Sequence, residues 1–179
     1  DMQKSKHFGR IVNDKAFDRL SGYLTNGKIV AGGITDKSKR YISLTLLDEV
    51  KPEDAVMQEE IFGPILPIMT FTEIDEAIAY INSNEKPLAF YYFGKSKMAK
   101  EVLMKTTSGG GCINDTVVHV GNHHLPFGGV GNSGMGKYHG KDSFLAFSNR
   151  RSIVSTPTWM DLPLKYVPYK FFKLIRKII

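Results

Sequence analysis

One cysteine, Cys112, stands among the 179 residues. No disulfide can form within the chain, which fits a reducing compartment. No apolar run reaches the roughly 20 residues that a membrane-spanning helix needs. The first residues, Asp1-Met2-Gln3-Lys4, carry no leader pattern, and position 1 is not methionine, as expected of a segment cut from a longer protein. Internal repeats and low-complexity stretches are absent as well. A basic face spread over the body is also lacking. The formal charge is +6, but Lys165, Lys170, Lys173, Arg176 and Lys177 stand against Asp161 alone, so the tail holds +4 of it. A nucleic-acid partner is not expected from that distribution.

What is present is an ordinary globular composition, 42% hydrophobic and 23% charged, in a chain long enough for a sizeable core. Asn13 or Asp14 can cap a helix with Phe17, Leu20 and Leu24 on one face, closed by Asn26-Gly27. Lys28 to Ala31 reads as a strand. Tyr41 to Leu47 alternates, with Ile42, Leu44 and Leu46 expected on the buried side. Pro64 to Phe71 is apolar enough for a strand covered on both faces. Thr72, with Asp75 as a variant capping box, is expected to start a helix carrying Ile74, Ala77, Ile78 and Ile81. Leu88 to Phe93 reads as a buried strand. Ser96 opens a helix with Ala99, Val102 and Leu103, stopped by Gly109-Gly110-Gly111, and Cys112-Ile113-Asn114 begins the next strand. This alternation predicts parallel βαβ units and an α/β layer fold. Gly121 to Gly140 is a glycine-rich loop region, Asp142 to Phe147 a short helix, Arg150 to Ser155 a strand and Pro157 to Pro168 a linker.

Two stretches carry chemistry. Val56-Met57-Gln58 leads into Glu59-Glu60-Ile61-Phe62-Gly63-Pro64. Leu125-Pro126-Phe127-Gly128-Gly129-Val130-Gly131-Asn132-Ser133-Gly134-Met135-Gly136 leads into Tyr138-His139-Gly140. Both are long and unusual in composition. Together they resemble the aldehyde dehydrogenase superfamily, and the second resembles its class-three branch, which includes fatty aldehyde dehydrogenases. The similarity runs from Phe8-Gly9-Arg10 to Arg151.

The resemblance implies oxidation of an aldehyde to a carboxylic acid with NAD or NADP. A cysteine thiolate adds to the carbonyl as a thiohemiacetal, and a glutamate base activates the hydrolytic water. By the same resemblance, Glu60 contacts the hydroxyls of the nicotinamide ribose and Phe62 packs beside the nicotinamide. A carboxylate can accept two hydroxyl hydrogen bonds, and an apolar ring limits where the nicotinamide sits. Phe127 and His139 match pocket positions for the aldehyde. Val117 and Gly121 align with the substrate funnel, and Asn114 lies on the strand leading into it.

The family's nucleophile, in a Gly-Gln-x-Cys context, and its base, in a Leu-Gly-Gly setting, are not found in this sequence. No catalytic residue is therefore assigned, and the chain alone is expected to oxidise no aldehyde. Cys112, entering a buried strand, reads as an inert thiol. Gly129-x-Gly131-x-x-Gly134 matches a dinucleotide fingerprint literally, but no strand precedes it and no acidic residue follows at about 20 positions. In the family this run is a tight backbone path beside the pocket. His119, His123 and His124 are expected to be loop histidines and not metal ligands, because Val117-Val118 and Gly121 disfavour a helix that would align them.

The expected organisation is residues 1–147 as the later part of a catalytic domain, 148–168 as an oligomerisation strand with a linker, and 169–179 as an amphipathic tail. In that tail Phe171, Phe172, Leu174, Ile175, Ile178 and Ile179 oppose Lys170, Lys173, Arg176 and Lys177. Docking on protein and lying on a membrane surface both remain open for it. A homodimer is expected of the intact enzyme, in the cytoplasm or peripheral at a membrane. The competing reading is a non-catalytic module of the same ancestry, used for assembly or membrane association.

Overall fold

The computed structural model describes residues 2–161, 163, 166–168 and 172–177. They fall into two compact units, Asp1–Asn84 and Glu85–Ile179.

In the first unit, α1 (Asp14–Tyr23) begins where the Asn13 side chain accepts the Ala16 N–H at 2.8 Å. That bond satisfies one of the donors every helix start leaves open. Phe17, Leu20 and Tyr23 lie on the buried face and meet Ile42, Leu47, Val50, Val56 and Ile65 in one core. Three strands form a sheet in the order β1 (Lys28–Ala31), β4 (Thr45–Asp48), β5 (Ile65–Pro67). β1 and β4 run antiparallel, β4 and β5 parallel. A separate antiparallel pair joins β2 (Thr35–Asp36) to β3 (Tyr41–Ile42).

The alternation expected over Tyr41 to Leu47 is broken. Ile42 is buried, but Leu44 is 53% exposed and Leu46 also faces solvent, while Thr45 and Leu47 are buried. The chain leaves one strand pair at Ile42 and enters another sheet at Thr45. Between them, Ser43 is held by Ile34: its N–H donates to the Ile34 carbonyl at 2.9 Å, and its hydroxyl accepts the Ile34 N–H at 3.0 Å. Ile42 and Thr45 thus both point inward at an odd spacing, and a one-residue shift turns every later side chain over. Thr45 tolerates burial because its hydroxyl donates to the Ser43 carbonyl and accepts from the Gly33 N–H.

Pro64 to Phe71 yields only the three-residue β5, with Ile65 buried and Leu66 and Phe71 exposed, so it is not covered on both faces. The following helix, α2 (Ile74–Ser83), starts one residue later than Thr72 would place it. Glu73 is the N-cap residue and makes no side-chain cap bond. The Glu76 carboxylate reaches back to the Thr72 N–H at 3.2 Å.

In the second unit, β6 (Ala89–Tyr92), α3 (Ser96–Lys105) and β7 (Gly110–Ile113) form a parallel βαβ unit, with Ala89 opposite Gly110 and Tyr92 opposite Ile113. The fold class is α/β, as the alternation predicts. α3 buries Ala99 and Val102 and stops at Lys105 with Thr106 extended, four residues before the glycines. Two of those glycines instead belong to β7. Gly111 passes so close to its neighbour that a Cβ there would lie 1.9 Å from the Phe90 carbonyl oxygen. Beyond β7 come α4 (Val118–Gly121), a 3-10 turn at Gly131–Ser133 and α5 (Gly140–Ala146).

Residues 150–155 form no strand among the described residues, and Ile153 and Val154 are exposed. A strand exists only where a neighbour accepts its backbone bonds, and no neighbour within the described chain does so. The tail helix expected over 169–179 lies partly outside the described residues, at 169–171, 178 and 179. Within it α6 (Phe172–Ile175) is a single turn. Among the described residues no helix is long and apolar enough to cross a membrane.

Candidate cofactor and substrate sites

In the first unit the Glu59–Pro64 loop is fastened to α1. Arg19 and Tyr23 lie four apart on that helix and therefore on one face. The Arg19 guanidinium pairs with the Glu59 carboxylate at 3.1 Å, donates to the Ile61 carbonyl at 2.8 Å and reaches the Tyr23 hydroxyl at 2.9 Å. The Tyr23 hydroxyl donates to the same Glu59 oxygen. This clamp holds the Glu59 carboxyl below its ordinary value, through the Tyr23 hydrogen bond first, opposed by burial and aided by the Arg19 hydrogen bond and charge. Burial, and then Glu59, push the Tyr23 phenol up. Gly63 packs against the same helix, with room for a Cβ removed by Leu20 Cδ2 at 2.6 Å.

The clamp divides the two glutamates. Glu59 is occupied. Glu60 offers only its backbone carbonyl to Arg19, and its exposed carboxylate has no partner among the described residues. Phe62 is 80% exposed and held at φ 49°, a left-handed conformation rare for an aromatic residue. It borders a cavity of about 560 Å³ lined with Phe8, Ile11, Arg19, Ile42 and Pro64. An open carboxylate two residues from a presented ring suits a ribose with an attached nicotinamide. Neither Arg19, Tyr23 nor the role of Glu59 was foreseen in the sequence. The signal available was the i, i+4 spacing of an arginine and a tyrosine on a helix whose other face is apolar.

In the second unit Phe127 and His139 are brought together. Their rings stack with centroids 6.0 Å apart and planes at 24°. Tyr138 meets His139 edge-on at 4.4 Å, and His123 meets it edge-on at 5.2 Å. The cause is a two-residue bridge: Phe127 and Tyr138 exchange backbone N–H···O bonds, both 2.9 Å. His139 stands at φ 86°, at the entry to α5, with its N–H donated to the Ser143 hydroxyl at 2.8 Å and its Nδ1 buried without a partner.

The glycine run between these residues folds tightly on itself. A Cβ on Gly129 would sit 2.1 Å from the Ser133 carbonyl oxygen, and one on Gly109 2.4 Å from that of Gly128. Lys137 bolts the arrangement together, its ammonium donating to the Gly109 carbonyl at 2.6 Å and to that of Gly128.

The remaining predicted pocket residues are placed differently. Asn114, at φ 57°, commits both ends of its amide to Gly94: the oxygen accepts the Gly94 N–H at 2.7 Å and the nitrogen donates to the Gly94 carbonyl at 3.0 Å. It is a strut between two loops. Val117 is exposed at φ 64°, and Gly121 is exposed at the end of α4. His119 departs from expectation. It lies on a helical turn despite Val117-Val118, is buried, and has Nδ1 3.4 Å from the Cys112 sulfur. Cys112 is half-buried and not sealed in a core. His123 and His124 are exposed. Among the described residues no group of three or more histidine, cysteine, aspartate or glutamate side chains could hold a metal ion.

An α/β frame that carries a clamped Glu-Glu-Ile-Phe-Gly-Pro loop and a glycine-tight aromatic cluster fits the pyridine-nucleotide-linked aldehyde oxidoreductase class. The family model described as "Aldehyde dehydrogenase family" matches residues 1–153, and the chain belongs to that family. Its relatives place it in the class-three branch. Aldehyde dehydrogenase family 3 member B1 of Rattus norvegicus is 52% identical over 170 residues, which cover 93% of this chain and 36% of that protein. The Bos taurus protein named "Aldehyde dehydrogenase, dimeric NADP-preferring" is 49% identical over 166 residues, covering 92% and 70%. The solved structure of Staphylococcus aureus AldH in its substrate-bound state superposes with a TM-score of 0.85 at 47% identity, covering 99% of this chain and 40% of that one. The chain thus spans about a third of the length of the rat relative.

Proposed function

We propose that these residues supply cofactor and substrate contacts for an NAD(P)-dependent aldehyde dehydrogenase that oxidises aldehydes to carboxylic acids. The thiolate that forms the thiohemiacetal, and the base that activates water, come in this reading from polypeptide outside the sequence. The nicotinamide, when bound, supplies the hydride acceptor. Glu60 accepts hydrogen bonds from the ribose hydroxyls and fixes the sugar, while the Phe62 ring excludes water from one side of the nicotinamide. Phe127 and His139 wall the aldehyde site, where an apolar ring orients the chain and the imidazole supplies a polar edge. Val117 and Gly121 border its entrance, and Asn114 holds that border in place. The reading takes a homodimer in the cytoplasm. The bovine relative is named as dimeric, and the single cysteine fits a reducing compartment.

The observation that carries the cofactor role is the division of labour between Glu59 and Glu60. Two α1 side chains occupy the first carboxylate and leave the second open beside a presented phenylalanine. Saturation-transfer NMR of the 179-residue chain with NAD tests it. Protons of the nicotinamide and its ribose should receive saturation, and Glu60→Gln and Phe62→Ala should each remove most of it. Undiminished transfer to those protons in both folded variants would overturn the assignment.

A further inference from the structure

Cys112 and His119 form a pair that the aldehyde chemistry above does not use. Gly110 and Cys112 lie two apart on β7 and therefore on one face of the strand. The imidazole of His119 lies along that face. Its Nδ1 is 3.4 Å from the Cys112 sulfur, and its other edge covers Gly110, where a Cβ would meet Cδ2 at 3.2 Å. Glycine at position 110 makes room for the ring. Tyr91 and Phe127 brace it, with ring centroids at 5.8 and 5.7 Å.

The ring reaches this place through strained backbone. Asn114 and Val117 both take positive φ, 57° and 64°, and a β-branched residue there is a steric outlier. His119 is 9% exposed, yet its Nε2 has no hydrogen-bond partner. A buried polar atom left unpaired costs free energy and is retained where it serves something else. Cys112, whose sulfur faces this ring, is only half-buried. A thiol beside a base, with the base held by further groups, is the arrangement of an activated nucleophile.

We propose that Cys112 and His119 form a nucleophile–base pair that captures α,β-unsaturated aldehydes by conjugate addition. The choice of electrophile class rests on the aldehyde reading above. The His119 Nδ1 takes the thiol proton as the sulfur forms a bond to the β-carbon. The carbon–carbon π pair moves to the α-carbon and carbonyl as an enolate, and the proton passes from His119 to the α-carbon. The carbon–carbon double bond is lost, a thioether forms and the aldehyde group survives. Nothing is oxidised or reduced and no co-reactant is consumed. The wall for the electrophile's hydrocarbon is already present, since Phe127 touches His119 on one side and His139 on the other.

The single cysteine makes the test clean. The full 179-residue chain is incubated with trans-2-hexenal near neutral pH, and intact-mass spectrometry with peptide mapping follows the adduct at Cys112, with Cys112→Ser as background. The folded chain should react about tenfold or more faster than the chain unfolded in guanidinium, a modest share of what a positioned base contributes. His119→Phe, which keeps the ring packing but removes both nitrogens, should fall to the unfolded rate, as should His119→Gln. A folded rate no greater than the unfolded one overturns the proposal, and that comparison needs no variant to fold. Full reactivity in either folded His119 variant overturns it too. So does acceleration seen with N-ethylmaleimide but not with hexenal, which would remove the enal as the electrophile class. The cofactor reading is scored separately, by NAD on Glu60 and Phe62, so each can fail alone.

Discussion

The three side chains that fasten the Glu59–Pro64 loop titrate in opposite directions, which makes the clamp visible in the pH dependence of stability. The Glu59 carboxyl is held below its ordinary value of 4.5, by the Tyr23 hydroxyl first and then by Arg19. A depressed carboxyl contributes stability that is fully present above 4.5 and is lost as the pH falls through the folded value. The Tyr23 phenol is raised above its ordinary 10.0 by burial and then by Glu59, so its contribution is full below 10.0 and is lost as the pH rises through the folded value. The clamp is therefore intact from weakly acid to weakly alkaline solution. Urea midpoints measured across that range should show Glu59→Gln flattening the acid limb and Tyr23→Phe flattening the alkaline limb. Wild-type slopes retained in both variants would remove the clamp as their cause. At this scale the sequence was only half legible. The Glu59-Glu60 doublet does not reveal which carboxylate is occupied, because the deciding partners lie 36 and 40 residues away. Cys112 read as inert because nothing local says that His119 turns back over it; that depends on positive φ at Asn114 and Val117, which neither residue type advertises.

Elements with a local signal were legible in kind and order, with ends displaced by a few residues. Asn13 or Asp14 was expected to cap α1, and it is the Asn13 side chain that caps the Ala16 N–H there. Because that bond satisfies a helix-end donor with no other partner, Asn13→Ala should cost about 1 kcal/mol, read as a lowered urea midpoint with an unchanged slope. Asn13→Ser should recover most of it, and a neutral Asn13→Ala would show that α1 is fixed by its core face alone. The strand Lys28–Ala31 was legible through its apolar run, and so was the strand–helix–strand order after Leu88, although β7 begins at Gly110 and not at Cys112. The failures share one physical cause. Leu44 and Leu46 face solvent because Ser43 hands the chain from one strand pair to another, and Pro64 to Phe71 shrinks to three strand residues because β4 pairs only with Ile65, Leu66 and Pro67 of the run. Pattern reports that a residue is apolar, whereas neighbours decide whether it is covered. The stretch 150–155 shows the same dependence: read as a strand, it finds no pairing partner among the described residues.

At the scale of the molecule, the placement of the chemistry predicts a division of function. In the proposed reading the ligand contacts are Glu60 and Phe62 in one unit and Phe127 and His139 in the other, while the sequence contains no Gly-Gln-x-Cys stretch to supply a thiolate. In that reading Cys112 does not substitute for it. Its sulfur faces His119, on a strand whose following residue Asn114 has both ends of its side-chain amide engaged with Gly94, so that amide is not free to hold a carbonyl oxyanion. Conjugate addition tolerates that surrounding, because its negative charge develops along the enal and is discharged by a proton. Hydride loss from a thiohemiacetal does not, because it needs the charge held on oxygen at the attacked carbon. The 179-residue chain mixed with hexanal and NAD should therefore give no NADH absorbance above a protein-free control, while the same preparation still takes up hexenal at Cys112. NADH production that disappears in Cys112→Ala would show the opposite: that this thiol attacks carbonyl carbon and that the chain is a complete oxidising unit.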